Sequence, residues 1–402
     1  MAIEFELSKG MRTARDMARM FAETYVRPYA LESDQLCGPH PKFIEACKQF
    51  QLGTGQLSGV EGMNEPKAPK PGKIKEGNRM RLVAAEELAW GDATAALNMP
   101  GPGLGGPPVQ FTGTPEQRER FMGVFSPETY KFGAYALTEP GAGSDAKNLS
   151  TLCRKEGDAW VLNGSKIYIT NGKRAEWTVV FATLDPKLGR AGHRAFVVEK
   201  GTPGFSCPKV EKKMGLRASE TAEQVFEECR VPEGNLLGGE AHYEAKAKGG
   251  FKTAMKTFDA TRPLVAIMAV GIARAAYEIA RDWVQETYSL SQHTHRYQRL
   301  VDALAEMEQE IRMARLLSYK AAYLLDRELP NAKESSMSKA YAGTMVQRVT
   351  SRAIEILGPE GVRENRLVEK LYRDQKVYDI FEGTGQIQRL VISRRLFAHT
   401  RG

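Results

Sequence analysis

Two long stretches of helical periodicity enclose a block of short, apolar, β-branched runs, and this order of patterns restricts the fold more than any single residue does. Trp160-Val161-Leu162, Lys166 to Thr170, Trp177 to Thr183 and His193 to Val198 are such runs, separated by turn residues. Asn163-Gly164 between two of them predicts a tight hairpin, and the spacing predicts a small β-barrel or sandwich. On the N-terminal side, Met11, Ala14, Met17, Ala18 and Phe21 recur at helical spacing. So do Leu82, Ala85, Leu88 and Ala89, in a helix expected to end near Asn98. On the C-terminal side Phe251 to Tyr288, Tyr297 to Leu329 and Met337 to Leu357 are long amphipathic runs, followed by shorter ones. They predict an antiparallel four-helix bundle. The expectation is a mostly helical α+β chain: an N-terminal helical domain over 1–130, a middle β domain over 131–242 and a helical bundle over 243–402.

Composition narrows the class. A chain of 402 residues exceeds one ordinary core. Its 42% hydrophobic and 26% charged residues are those of a globular protein rather than a disordered one. No uninterrupted apolar run approaches the roughly eighteen residues that span a bilayer. Met1 to Met17 is mixed and charged, and Cys37, Cys47, Cys153, Cys207 and Cys229 are odd in number and lack metal-ligand spacing. A reducing cytoplasm is therefore expected. The net charge of +8 suits an anionic partner. The basic residues are mostly dispersed, and their densest stretch, Lys67 to Arg81, carries prolines and no aromatics, which weakens a nucleic-acid reading.

The chemistry-bearing motifs lie outside that basic stretch. Gly101-Pro-Gly-Leu-Gly-Gly106 fits the bare G-x-G-x-x-G pattern, but it follows a helical run and precedes two prolines, so a dinucleotide site is rejected. His293 and His295, two apart with no accompanying cluster, do not make a metal site. In Tyr378 to Gln388, by contrast, Glu382 stands between Ile380-Phe381 and Gly383-Thr384. Apolar neighbours disfavour its charged form, which suits a general base for a weak carbon acid. Gly383 permits close approach to the backbone and Thr384 adds a hydroxyl. The bland alternative is an acidic residue complementing a helix N-terminus.

Tyr135-Ala-Leu-Thr-Glu-Pro-Gly-Ala-Gly-Ser-Asp145 and Trp160-Val-Leu-Asn-Gly-Ser-Lys-Ile-Tyr-Ile-Thr-Asn-Gly172, together with the Glu382 segment, Phe258 to Pro263 and Leu371 to Tyr378, resemble the signatures of the acyl-CoA dehydrogenase family, in the family's order. The pattern is nearest its short- and medium-chain members. The resemblance implies FAD-dependent α,β-dehydrogenation of an acyl-CoA to the trans-2-enoyl-CoA, with Glu382 removing the α-proton and flavin N5 accepting hydride. It places Tyr135, Leu137, Thr138, Gly143, Ser144, Tyr168, Ile169, Thr170, Gln298, Thr384 and Gln386 at the flavin. Ser144, Asp259, Thr261, Arg262, Phe381 and Gly383 fall along the substrate. Electron-transfer flavoprotein is the implied acceptor, and a homotetramer or dimer the implied assembly.

The chain departs from the family pattern where the flavin pyrophosphate and adenosine are held. An Arg-x-[Ser/Thr]-Phe-Gly stretch is replaced by Thr287-Tyr-Ser-Leu-Ser291, a histidine by Tyr297, and a Gln-x-x-Gly-Gly turn by Glu355-Ile-Leu-Gly-Pro359. Loss of an arginine–phosphate contact costs about 1.5–3 kcal/mol, and Arg296 is the candidate substitute. Three alternatives stay open: a low-activity binding subunit of a mixed oligomer, a nucleic-acid-associated flavoprotein of the same fold, and a flavoenzyme doing oxidation or elimination. The motifs leave straight, branched and aromatic acyl groups open.

Overall fold

A computed structural model describes residues 6–53, 75–126, 129–245 and 249–397 of the chain. The first helices are α1 (Lys9–Phe21), capped by the Ser8 hydroxyl, α2 (Ala30–Leu36) and α3 (Pro41–Gln49). Of the α1 positions read as one apolar face, Met11 and Phe21 are buried while Met17 faces outward. α4 (Gly77–Gly91) buries Leu82, Ala85, Leu88 and Ala89. It ends seven residues before the expected Asn98; a short 3₁₀ turn, Ala96–Asn98, carries the chain on. α5 (Gly106–Thr112) and α6 (Pro115–Met122) complete the N-terminal part, α6 with a Thr114/Gln117 capping box.

The Gly/Pro stretch that mimicked a dinucleotide loop is a packing device. A Cβ on Gly105 would lie 2.5 Å from the Ala134 carbonyl oxygen and 2.6 Å from the Trp177 ring. Only glycine lets this turn sit against the sheet.

The sheet is curled and mixed: β1 (Gly133–Ala136), β2 (Leu152–Glu156), β3 (Ala159–Thr170), β4 (Trp177–Thr183), β5 (His193–Glu199), β6 (Phe205–Ser206) and β7 (Thr221–Pro232). Its order is β1-β4-β2-β3-β7-β6, with β5 added to β4; β1 and β4 run parallel. It forms one sheet of seven strands rather than two stacked layers. Asn163-Gly164 is not a hairpin. It lies inside β3, where the pairing with β7 shifts between Leu162 and Gly164. Gly164 has φ +147°, and a Cβ there would lie 2.7 Å from the Thr151 hydroxyl, so the glycine makes a bulge under a neighbouring chain. The tight turn is Gly157-Asp158, joining β2 to β3 in register Glu156↔Ala159.

α7 (Gly239–Ala245) spans the boundary expected at 242. α8 (Gly249–Thr287), α9 (His295–Asp326) and α10 (Ala332–Leu357) are the long helices, followed by α11 (Leu367–Asp374) and α12 (Gly385–Leu396). Within α8, Thr257–Thr287 is long and apolar enough by length and composition to cross a membrane, although Arg274 and Glu278 interrupt it, so that no uninterrupted apolar run reaches that length. Its apolar residues, Val265 to Ala280, belong to a core shared with α1, α4 and α10. The basic stretch 67–81 lies mostly outside the described residues. Of its described part, Lys75 pairs with Glu328 at 2.6 Å and Arg79 with Asp326 at 2.8 Å.

Candidate active site

Glu382 sits in the turn between α11 and α12, with left-handed backbone (φ +53°), followed by Gly383 at φ +94°. Thr384 is the N-cap of α12, its hydroxyl accepting from the Ile387 N–H at 3.3 Å. Glu382 is thus outside the helix, and its carboxylate turns away from it. Thr261 Oγ1 on α8 donates to Glu382 Oε2 at 2.7 Å, with the Thr257 carbonyl at 3.2 Å as its other acceptor. A carboxylate that complemented a helix dipole would face backbone N–H groups instead. Burial raises the Glu382 pKa, and the Thr261 bond and the charges of Arg262 and Lys339 oppose that rise.

Of the flanking groups, Arg262 is buried and Asp259 half-buried. Arg262 precedes Pro263 and donates to Asp259 Oδ1 at 2.6 Å, and its Nε is buried without a partner. Burial pulls the Arg262 pKa down and pushes the Asp259 carboxyl up, so each charge pays for desolvation despite the pairing. Phe381 packs edge-on to Tyr378 at 5.0 Å, and the Tyr378 hydroxyl donates to the Ala93 carbonyl at 3.1 Å.

Tyr135 on β1 approaches this group from the sheet. Its ring lies 5.8 Å from Phe258 on α8, and its hydroxyl is buried with no hydrogen-bond partner. Burial first, and then the Glu382 charge, raise its pKa well above the usual phenol value. The segments 135–138 and 166–170 are laced together: Ile167 N–H donates to the Thr138 carbonyl at 2.9 Å and Lys166 Nζ to the Leu137 carbonyl at 3.3 Å. Tyr168 is left-handed (φ +57°) with 63% of its surface exposed, between buried Lys166 and Ile169 and half-buried Thr170.

Two residues that the sequence did not single out hold this segment. Glu139 accepts from Lys166 Nζ at 2.6 Å, Ser150 N at 2.6 Å and Thr151 N at 3.0 Å. Burial pushes the Glu139 pKa up, but Lys166 and those donors prevail and hold it at about 2. Burial pulls the Lys166 pKa down to about 8, with Glu139 opposing. We take the pair as ionised at neutral pH, since four donors converge on Glu139, the fourth being the Ser150 hydroxyl at 2.6 Å. A lysine alternating with apolar strand residues was the available signal.

The remaining expected residues are spread more widely. Gly143 and Ser144 are exposed on the loop after β1, and Gln386 is exposed on the first turn of α12. Gln298 is exposed on the first turn of α9, donating to Asp302 Oδ1 at 3.2 Å, and is not brought to the Glu382 group within this chain.

Residues 134–229 match the profile described as "Acyl-CoA dehydrogenase, middle domain", and 248–397 the profile "Acyl-CoA dehydrogenase, C-terminal domain". The chain belongs to the acyl-CoA dehydrogenase family. It is 36% identical over 397 residues to the short-chain specific acyl-CoA dehydrogenase of Clostridium acetobutylicum, covering 98% of this chain and 100% of that one. With the mitochondrial short-chain specific acyl-CoA dehydrogenase of Rattus norvegicus it is 39% identical over 395 residues, covering 97% and 91%. Butyryl-CoA dehydrogenase from Megasphaera elsdenii superposes with a TM-score of 0.86 at 34% identity, covering 98% and 100%. The family is FAD-dependent. The residues present fit the flavin ring: a Cβ on Gly141 or Gly143 would meet nothing within 4 Å, Tyr168 offers an exposed ring on strained backbone, and the Tyr135 hydroxyl is an unpaired donor. At 287–291 the chain offers no cation, and Leu290 is 99% exposed. Arg296 lies 5.6 Å over the Tyr288 ring beside it.

Proposed function

We propose that the chain oxidises a short acyl-CoA to its trans-2-enoyl thioester, with Glu382 as the base that takes the α-proton. The single observation that carries this reading is the Glu382 carboxylate: desolvated, its pKa raised, and fixed by Thr261 on a left-handed turn. The short acyl chain follows the names of the two short-chain specific relatives and of the butyryl-CoA enzyme.

FAD, when bound, supplies the hydride acceptor for the β-carbon; Leu137, Thr138, Ser144, Tyr168, Ile169 and Thr170 would hold its ring, with Tyr135, Gly143, Thr384 and Gln386 contributing, while Gln298, away from this group, would reach a flavin only from a second subunit. The protein's own work is on the proton. Thr261 orients one carboxylate oxygen and leaves the other for the α-hydrogen. Scarcity of water raises the basicity of Glu382 towards that of a carbon acid. The Glu382 backbone N–H is assigned to the thioester oxygen, where enolate charge develops and a fixed donor acts strongly in a dry site. Asp259, Arg262, Phe381 and Gly383 line the thioester's path. Reduced enzyme passes its electrons to an electron-transfer flavoprotein, and the working form is a cytoplasmic homo-oligomer, a tetramer or dimer.

A low-activity binding subunit is the second reading, favoured by the absence of a cation at 287–291. Anaerobic titration with a panel of acyl-CoAs, following the visible flavin band, decides between them. Bleaching by butyryl-CoA ahead of long or branched esters is the expected result. A colourless protein, or a yellow one that no ester bleaches, overturns the dehydrogenase reading.

A further inference from the structure

We propose that Lys339 on α10 is a positioning residue for Glu382, fixing its left-handed turn through the Gly383 carbonyl and supplying a second cation, beside Arg262, near the carboxylate; this rests on Glu382 being the base.

Lys339 is 1% exposed, and its ammonium donates to the Gly383 carbonyl at 2.7 Å. The same carbonyl receives Gln388 Nε2 at 2.9 Å, which also reaches the Glu382 carbonyl at 3.1 Å. Two successive positive φ angles, one on a non-glycine residue, are held by donors from α10 and α12. Such backbone persists only where the surroundings over-determine it. A Cβ on Gly343, one turn along α10, would meet Asp379 at 3.2 Å, so the helix presses directly on the segment that leads into the turn.

The position of the lysine is unusual for its type. Ser335, Lys339, Ala342, Val346, Val349 and Ala353 form one buried stripe of α10. Its hydrogen bond is to a backbone carbonyl of the turn, with the carboxylates of Asp379 and Glu382 nearby. The charged groups around it are Asp379 and Glu382 on the turn segment and Arg262 on α8, with Asp259 bonded to Arg262 and Arg389 of α12 near Gly385. Burial pulls the Lys339 pKa down to about 8, with Asp379 and Glu382 opposing. It is therefore a cation at neutral pH, and it favours the ionised form of Glu382.

The test uses the flavin-loaded enzyme carrying Lys339→Met, with Lys339→Gln as a second variant that keeps a neutral donor. Both are expected to fold and stay yellow, with KM within about 3-fold and kcat down about 10- to 100-fold in the methionine variant. The acid limb of the kcat/KM profile is expected to move up by about one pH unit, because a lost cation raises a carboxyl pKa. A merely structural lysine would lower flavin content and thermal stability without moving that limb. An unshifted limb, or failure of both variants to fold, overturns the proposal. Glu382→Gln separates this from the parent reading. If that variant turns over normally, the base assignment falls; if it is inactive while Lys339→Met behaves as wild type, only the lysine falls. In the Glu382→Gln background, Lys339→Met is expected to cost nothing further in residual turnover, and a second, additive loss counts against the coupling.

Discussion

At the scale of single residues, the site is a contest between desolvation and three favourable contacts around one carboxylate. Burial raises the Glu382 pKa; Thr261, Arg262 and Lys339 limit the rise. A base must be ionised to act, so turnover falls as pH drops through the raised Glu382 pKa. Thr261→Val removes the 2.7 Å hydrogen bond without changing shape much. Turnover at neutral pH is expected to fall about 10-fold, the scale of one hydrogen bond to a charged group, and the acid limb to move upward. An unchanged pH profile would show that Thr261 does not orient the base. The same raised pKa bears on stability. Its contribution is complete below the unfolded glutamate value near 4.5 and is lost as pH rises through the folded pKa. Glu382→Gln should therefore raise the thermal midpoint relative to wild type more at pH 8 than at pH 5, while abolishing nearly all turnover. The sequence pointed to Glu382 through its apolar neighbours and to Thr261 and Arg262 through the family resemblance, as substrate contacts; the bond from Thr261 to Glu382 was not foreseen. Nor were Lys339 and Lys166: a lysine in a helix or strand reads as solvated until its stripe partners are known to be buried.

At the scale of elements, the strand block was readable in its apolar runs and misread at its turns. Asn163-Gly164 carries the strongest hairpin composition, yet the turn is Gly157-Asp158. Local propensity lost to the Thr151 chain crossing above Gly164, a long-range contact that no window of sequence contains. Gly164→Ala is expected to cost about 1–3 kcal/mol, since it combines φ +147° with a 2.7 Å clash, whereas Gly157→Ala meets no atom and pays only for its φ of +63°. Equal losses of thermal stability in the two variants would reject the bulge assignment. The Glu139–Lys166 pair is the second device at this scale, tying the end of β1 to β3. Lys166→Met leaves Glu139 buried without its cation and should destabilise by about 3–5 kcal/mol. The Glu139 carboxyl is depressed, so its stabilisation is present above the unfolded value near 4.5 and lost as pH falls towards 2.

At the scale of the whole molecule, the order helices–strands–helices was legible, but not that the two helical parts share one core. Phe21, Leu82 and Trp90 cluster with Val265, Met345 and Tyr378, residues hundreds of positions apart that no periodicity links. The junction of the three parts lies just before the Glu382 turn. Lys370 Nζ meets Asp374 Oδ2 at 2.6 Å and Asp92 Oδ2 at 3.0 Å, and Asp374 Oδ1 accepts the Leu216 N–H at 2.6 Å. Asp92 follows α4, Leu216 lies between β6 and β7, and Lys370 and Asp374 are on α11. A Cβ on Gly215 would run into the Arg373 carbonyl oxygen, so the middle part presses against α11 there. Burial opposes the lysine charge, but Asp374 and Asp92 prevail and raise its pKa. The cation therefore stabilises the fold below its unfolded value near 10.5, and that stabilisation is lost only as pH rises through the raised folded value. Replacing Lys370 with methionine leaves two carboxylates facing each other in a dry junction, which should cost about 3–5 kcal/mol. Lys370→Met/Asp374→Asn keeps the acceptor for Leu216 and removes one of the two charges, so part of that loss should return. Because Tyr378 and Glu382 follow directly, flavin release and thermal unfolding should fall together in the single variant. A Lys370→Met protein that melts with wild type would mean that the shared apolar core alone joins the three parts, and that the buried triad contributes no net stability.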